Sequence, residues 1–104
     1  MVVLADLPEA TARVLADVAA EREHAMSHDD RTPEWDDKRV LGQLRDAAVS
    51  QALADRRCSR DRKACEEYWT FPGKGATDKG YRQNLIRAMQ FLCAEVERID
   101  RSEP

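Results

Sequence analysis

The sequence predicts an all-α protein, a small helical bundle of three long helices with two long loops. A shorter segment, residues 59–68, can form a fourth helix. Two observations predict this class: apolar residues recur at intervals of three and four along the chain, and no stretch alternates as a strand does. The length of 104 residues fits one helical domain over 1–104, with helices at about 7–26, 38–56, 59–68 and 80–101.

The first helix has a start signal and one unexpected residue. Asp6 is a suitable capping residue, and Pro8 falls in the first turn, where proline is tolerated. Glu21 lies on the apolar line of this helix, where a carboxylate is costly unless it is paired. The apolar line consists of Val14, Val18 and Ala25.

The middle of the chain alternates loops and helices. Residues 27–37, "SHDDRTPEWDD", are polar and lack periodicity, so we predict a loop. The helix over 38–56 directs Leu41, Leu44 and Ala48 inward. Residues 68–80, "YWTFPGKGATDKG", contain three glycines and a proline and form the clearest loop.

The last helix, 80–101, has the strongest periodicity. Its apolar residues step 4-3-4-3, a seam suited to helix packing, and we expect this seam to be buried. Glu95 lies on a neighbouring line at the edge of the seam, whereas Glu97 faces away and can pair with Arg101. The seam is Leu85, Met89, Leu92, Val96 and Ile99, and the neighbouring line is Asn84, Ala88, Phe91, Glu95 and Arg98.

Composition excludes several classes of function. The net charge is −3, from 17 basic and 20 acidic residues that are interspersed, so general nucleic-acid binding is not expected. The longest apolar run falls short of a membrane span, and the opening "MVVLADLPEA" does not resemble a signal peptide. Three cysteines without a CxxC motif predict reduced thiols in the cytoplasm.

Charged residues on the helices are the first candidates for a site. Glu21 and Glu95 could meet across the core with Arg22 and Arg98 beside them, as a site for a divalent metal or a polyphosphate. The alternative, which we favour, is a buried Glu–Arg pair that fixes helix register. The ExxH and HxxxH spacing of Glu21, His24 and His28 is better explained by a solvated helix end than by a metal site.

The loops supply the second set of candidates. The stretch "GKGATDKG" lacks the Walker A pattern, but it can bring Lys74, Lys79 and Arg82 near a phosphate at the N-terminus of the last helix. Trp35 and Trp69 lie in loops, where they can stack on a nucleobase or close the ends of the bundle.

The C-terminal third resembles a family of small, uncharacterised proteins common in tailed phages and prophages. The shared pattern is a W-P-W-like segment, a lysine, then R-x-x-L-[VI]-[KR]-A, and finally A-E-[IV]-E-R-[LI]-D-R. The matching residues here include Trp69, Lys79, Arg82, Arg87 and Glu95. Upstream, Glu21 and Arg22, "TPEWDD" and the G-x-L-x-x-A-A spacing at 42–48 are also similar, although His24 and Gln43 depart from the pattern.

The order of these motifs is more remotely similar to MazG-like proteins, all-α nucleotide pyrophosphohydrolases that hold Mg²⁺ with carboxylates. The last helix has an ExxD, Glu97–Asp100, but the central E-E-x-x-E of those enzymes is missing, since the second helix has only Asp46 and Asp55. The resemblance therefore implies a related fold more than a retained activity.

These observations lead to three hypotheses. We favour a phage-encoded accessory or counter-defence protein that binds a nucleotide-like, phosphate-bearing ligand without turning it over, as a homo-oligomer without a cofactor or catalytic residues. The second is a divergent MazG-like hydrolase using Mg²⁺, and the third is a protein inhibitor of a host defence enzyme that exposes the "TPEWDD" loop. The candidate ligand-binding residues are Glu21, Arg22, Trp35, Trp69, Lys74, Lys79, Arg82, Arg87, Glu95 and Arg98. The hydrolase would use Glu21, Asp36, Asp37, Glu95 and Asp100.

Overall fold

The computed structural model describes residues 3–102, and this part of the chain is helical without strands, which confirms the all-α prediction. A short 3-10 helix, Leu4–Asp6, contains the residue predicted as a cap, and Pro8 occupies the N-cap position of the first α-helix instead. In chain order the α-helices are α1 (Glu9–His28), α2 (Pro33–Asp37), α3 (Gln43–Ala52), α4 (Ser59–Tyr68) and α5 (Tyr81–Ser102).

Among these residues two helices are long, α1 with 20 and α5 with 22, whereas α3 has only 10. The predicted helix 38–56 is shorter because Gly42 has φ of +95°, a left-handed conformation that stops α3 from extending backwards. Part of the predicted loop 27–37 is helical instead. Thr32 caps α2 by accepting a hydrogen bond from the Trp35 amide at 3.2 Å, and Pro33 fits the first turn.

The core lies where α3 packs against α5, with α1 against another side of α5. Phe91 and Leu44 are its largest apolar side chains, and both are almost fully buried. Alanines on the facing surfaces let the two helices approach closely. Trp35, Trp69 and Phe71 pack over this cluster, which is completed by Ala47, Ala48, Ala88 and Ala94.

The expected seam of α5 is not the side that faces the core. Met89, Leu92 and Val96 are 38%, 46% and 57% exposed, while the neighbouring line that contains Asn84 and Phe91 is buried. The small side chain of Ala88 allows close packing, and the buried Asn84 accepts a hydrogen bond from Gln51 at 3.1 Å. This line therefore combines tight contact with a hydrogen bond to α3, and the apolar seam stays at the surface.

The predicted ion pair between Glu97 and Arg101 is also replaced. Glu97 accepts from Arg22 of α1 at 3.4 Å, and Arg101 binds Asp37 of α2 at 2.8 Å. Both arginines thus connect different helices, which an i,i+4 pair within α5 would not do.

Candidate functional site

A polar cleft lies between α1 and the first half of α5. It consists of two adjoining cavities of about 370 and 280 Å³, which share Glu21, His24 and Gln83 in their walls. These volumes are near the lower end of the range of small-ligand pockets. The remaining wall residues are Asp17, Ala20 and Arg82 in the first cavity and Asp29, Lys79 and Arg87 in the second.

Two arginines of the cleft are held by carboxylates of α1. Arg82 Nη2 lies 2.7 Å from Asp17 Oδ2, and Arg87 Nε lies 3.3 Å from Glu21 Oε1. The second oxygen of Glu21 accepts from Gln83 Nε2 at 2.9 Å. The carboxylate on the apolar line of α1 is therefore paired, as its position required. Its partners also fix the orientation of the arginines.

Lys79 enters the cleft from the loop before α5, and a buried asparagine sets its position. Asn84 is fully buried, and its Oδ1 accepts from the backbone N–H of Lys79 at 2.8 Å. Its Nδ2 donates a hydrogen bond to Asp78 at 2.9 Å, and the N–H of Gly80 donates a second one. These two hydrogen bonds hold the pKa of Asp78 below its usual value. The loop thus places a lysine beside the N-terminus of α5, where the free N–H groups and the helix dipole favour anions.

The cleft carries balanced charge, with three cations facing three carboxylates. Asp17 and Glu21 pair with the arginines, whereas Lys79 makes no ion pair within residues 3–102. His24 also lines the cleft, and its ring stacks on that of His28 with centroids 4.3 Å apart. An anion entering the cleft would therefore meet the ammonium group of Lys79, two guanidinium groups that are already paired with carboxylates, and the carboxylate of Asp29.

Four of the ten predicted ligand-binding residues line this cleft: Glu21, Lys79, Arg82 and Arg87. Lys74 is exposed in the 69–80 loop and lines neither cavity. The predicted residues that lie together here therefore come from α1, from the first half of α5 and from the loop before it, with one of the two predicted lysines.

Arg22 lies in the interior instead. It is buried, and its Nη2 binds Asp36 Oδ2 at 2.5 Å while Nη1 donates to the carbonyl of Arg31 at 3.3 Å. The pKa of Asp36 is raised, chiefly because the carboxyl group is removed from water. This pair joins α1 to α2 and has a structural role.

The two tryptophans pack inside an aromatic cluster. Trp69 lies edge-on to Phe71, with centroids 5.2 Å apart, and its Nε1 donates to the carbonyl of Pro72. The guanidinium of Arg31 lies 5.0 to 5.7 Å from the ring centroids of Trp35, Phe71 and Phe91, and burial lowers the pKa of Arg31. These contacts agree with the second interpretation of the tryptophans, in which they close the ends of the bundle, and not with stacking on a nucleobase.

Glu95 and Glu21 have separate partners and do not form one site. Glu95 Oε1 accepts from Arg98 Nε at 2.6 Å, one turn along α5. Its Oε2 is buried and has no hydrogen-bond partner among the described residues. Each carboxylate thus has an arginine partner, but only the pair of Glu21 with Arg87 joins two helices, as a pair that fixes helix register must; Glu95 and Arg98 lie on the same helix.

The described part of the chain contains no group of three His, Cys, Asp or Glu side chains placed to hold a metal ion. Of the five acids named for a hydrolase, four pair with arginines of α1 or α5, and Asp100 is exposed. Glu21, Asp36, Asp37 and Glu95 pair with Arg87, Arg22, Arg101 and Arg98 respectively.

Sequence reasoning missed three residues of the cleft, Asp17, Gln83 and Asp29. Asp17 lies four residues before Glu21, and Gln83 lies four residues before Arg87, so each shares a helical face with a predicted residue. That spacing was an available signal. Asp29 follows the end of α1, and its spacing in the sequence does not link it to any predicted residue.

Comparisons with protein-family models, curated proteins and solved structures gave no significant match to this chain. Across residues 3–102, none of the helices has the length and apolar character needed to cross a membrane.

Proposed function

We propose that this protein binds a small phosphate-bearing, nucleotide-like ligand in the cleft between α1 and α5 without turning it over. The observation that carries the proposal is the convergence of Lys79, Arg82 and Arg87 on one cleft beside the N-terminus of a 22-residue helix. Positive groups at a helix N-terminus are a common arrangement for binding phosphate.

The pairing of the arginines supports binding of an anion of defined shape. Asp17 and Glu21 orient Arg82 and Arg87, so these arginine side chains lose less conformational entropy when a ligand binds. The unpaired ammonium of Lys79 provides the attraction that the balanced arginine pairs lack. The ligand is expected to place its phosphate between Lys79 and Arg87, with Gln83 and His24 available for polar groups of its remaining part.

The absence of turnover in this proposal rests on the distribution of the acids. Phosphoryl chemistry with Mg²⁺ requires carboxylates that converge on the metal, whereas four of the five acids of the hydrolase alternative are bound to four different arginines. Release of pyrophosphate from a nucleoside triphosphate with Mg²⁺ or Mn²⁺, abolished by Glu95→Gln, would favour the hydrolase instead.

The inhibitor alternative depends on the "TPEWDD" segment. This segment forms α2, in which Asp36 is buried and Trp35 packs on the core, so its acidic surface consists of Glu34 and Asp37. Asp37 already binds Arg101. A basic partner would therefore find less free acidic surface than the sequence indicates. On the resemblance to small phage proteins, we propose that the protein acts as a phage accessory or counter-defence protein.

The proposal is tested by thermal shift against nucleoside mono-, di- and triphosphates and inorganic triphosphate, followed by calorimetry of the most stabilising compound. Lys79→Ala and Lys74→Ala form a matched pair, since both lysines are exposed in the loop before α5 and only Lys79 lines the cleft. We expect Lys79→Ala to weaken binding about tenfold and Lys74→Ala to leave it unchanged. Equal losses, or no stabilisation by any compound, would contradict the proposal.

A further inference from the structure

An apolar surface remains open on the flank of α5 that α1 does not cover. We call it the α3/α5 face. A groove of about 400 Å³ lies at the centre of this face, and Arg45 and Glu95 line it together with apolar residues. We assign to the face six apolar residues that are between 36% and 82% exposed, of which Leu41, Leu92 and Val96 line the groove. The six residues are Val40, Leu41, Val49, Met89, Leu92 and Val96.

The apolar area of this face is larger than that of single apolar residues scattered over a surface. Its six side chains expose on the order of 500 Å², comparable to the largest patch on a typical monomer. The half-buried Leu85 and Ile99 extend the same line of α5, and a standard interface takes roughly 800 Å² from each partner.

The spacing of the exposed residues fits a helix as the covering element. Leu85, Met89, Leu92, Val96 and Ile99 step 4-3-4-3, which is the seam of paired helices rather than of a single exposed one. Within the described protomer this seam has no facing helix, because α3 packs on the neighbouring line that contains Phe91. A helix with the same spacing is the simplest complement.

Two polar groups in the groove make the face complementary to itself. Glu95 is 8% exposed; its Oε1 accepts from Arg98, and its Oε2 is buried without a hydrogen-bond partner among residues 3–102. Arg45 lines the same groove with a side chain that is 65% exposed and paired with the adjacent Asp46. The groove therefore holds one acidic and one basic side chain, and a two-fold axis brings each of them opposite its counterpart in a second copy.

We propose that a second copy of this chain covers the α3/α5 face, in a two-fold dimer that buries the seam of α5 and pairs Arg45 of each protomer with Glu95 of the other. This inference is independent of the ligand cleft, which lies on the other flank of α5. It explains why the most regular apolar line of the sequence is exposed in one protomer.

Sedimentation velocity and light scattering of the full chain test whether the dimer forms. Substitutions of two leucines of similar exposure test where its interface lies. Leu92 on the face and Leu15 on α1 are 46% and 43% exposed. We expect the wild-type protein to have twice the 11.8 kDa mass of one chain. Leu92→Glu should raise the dissociation constant about a hundredfold, because it buries a charge in the interface, whereas Leu15→Glu should not change it.

A second matched pair tests the polar contact without altering the apolar face. Arg45 and Arg13 are exposed to 65% and 68% and are each paired with one neighbouring acid. Arg45→Glu places a carboxylate against Glu95 of the partner, and we expect about tenfold weaker dimerisation, while Arg13→Glu should have no effect. Circular dichroism verifies that all four variants are folded.

Two results would overturn the proposal. A wild-type chain that stays monomeric up to about 0.5 mM would leave the face to a different protein partner. Dissociation by Leu15→Glu or Arg13→Glu, but not by Leu92→Glu or Arg45→Glu, would place the interface on α1.

Discussion

Arg22 and Asp36 form a buried ion pair that ties the middle of α1 to the short helix α2. The pair joins Arg22 Nη2 to Asp36 Oδ2 at 2.5 Å, and the two side chains are 7% and 1% exposed. The same arginine reaches Glu97 on α5 and the carbonyl of Arg31. One guanidinium therefore connects three segments that the core alone would hold less firmly.

Neighbouring acids of α2 test the importance of this pair. Asp36→Ala leaves the buried charge of Arg22 without its main partner, so we expect the free energy of unfolding to fall by about 3 to 5 kcal/mol. Asp37→Ala removes an exposed pair with Arg101 and should cost at most about 1 kcal/mol. Urea denaturation of both variants measures the difference. Similar losses at the two positions would show that the Arg22–Asp36 pair is not a major source of stability.

Asp36 and Asp78 should titrate on opposite sides of the ordinary carboxyl pKa of 3.8. Burial raises the pKa of Asp36, so its contribution to stability is complete below 3.8 and declines as the pH rises through the folded value. Hydrogen bonds from Asn84 and Gly80 lower the pKa of Asp78, so its contribution is present above 3.8 and is lost as the pH falls through the folded value. Carbon-detected NMR titration of the two carboxyl groups measures both, and a reversed order would refute the assignment.

Asn84 should affect both stability and ligand binding although it lies outside the cleft. Asn84→Ala removes the acceptor for the Lys79 amide and for Gln51, and we expect a loss of roughly 2 to 4 kcal/mol. Ligand affinity should also fall, because the loop that places Lys79 is released. Thr77→Ala is the control in the same loop; its side chain is exposed, so the change should stay within about 0.5 kcal/mol.

The three thiols should react at distinct rates. Cys58 and Cys93 are exposed, whereas Cys65 is fully buried. Partial burial and the charge of Glu97 raise the pKa of Cys93, so its thiolate is scarcer and its reaction slower. A thiol reagent should therefore modify Cys58 first and Cys93 second, and Cys65 only after denaturation. Cys65→Ala provides the control, and rapid reaction of three thiols in the native protein would contradict the fold around α4.

The helical class and the ends of several helices could be predicted because they depend on local signals. The range 59–68 coincides with α4, and the strong periodicity after residue 80 marks α5. Which side of α5 is buried could not be predicted from hydrophobicity. The more apolar line through Leu92 faces outwards, since alanines on α3 and the hydrogen bond between Gln51 and Asn84 favour the less apolar line. That choice depends on contacts between helices, which a single periodic segment does not encode.

The lining of the cleft could be predicted only in part, for a related reason. Lys79, Arg82 and Arg87 could be grouped because they cluster near one helix start in the sequence. The role of Arg22 could not be predicted, because Asp36 lies fourteen residues away and falls in a segment that lacks periodicity. The capping pattern of Thr32 and Pro33 was the one local sign that this segment is a helix.

The most direct test of the ligand cleft is NMR titration of the ¹⁵N-labelled protein with ATP and with inorganic triphosphate. We predict that the amide signals of Lys79, Gln83 and Arg87 shift with a common saturation curve, while those of Arg45 and Leu92 on the α3/α5 face do not. Shifts confined to the α3/α5 face, or no saturable shift with either compound, would contradict phosphate binding in the cleft.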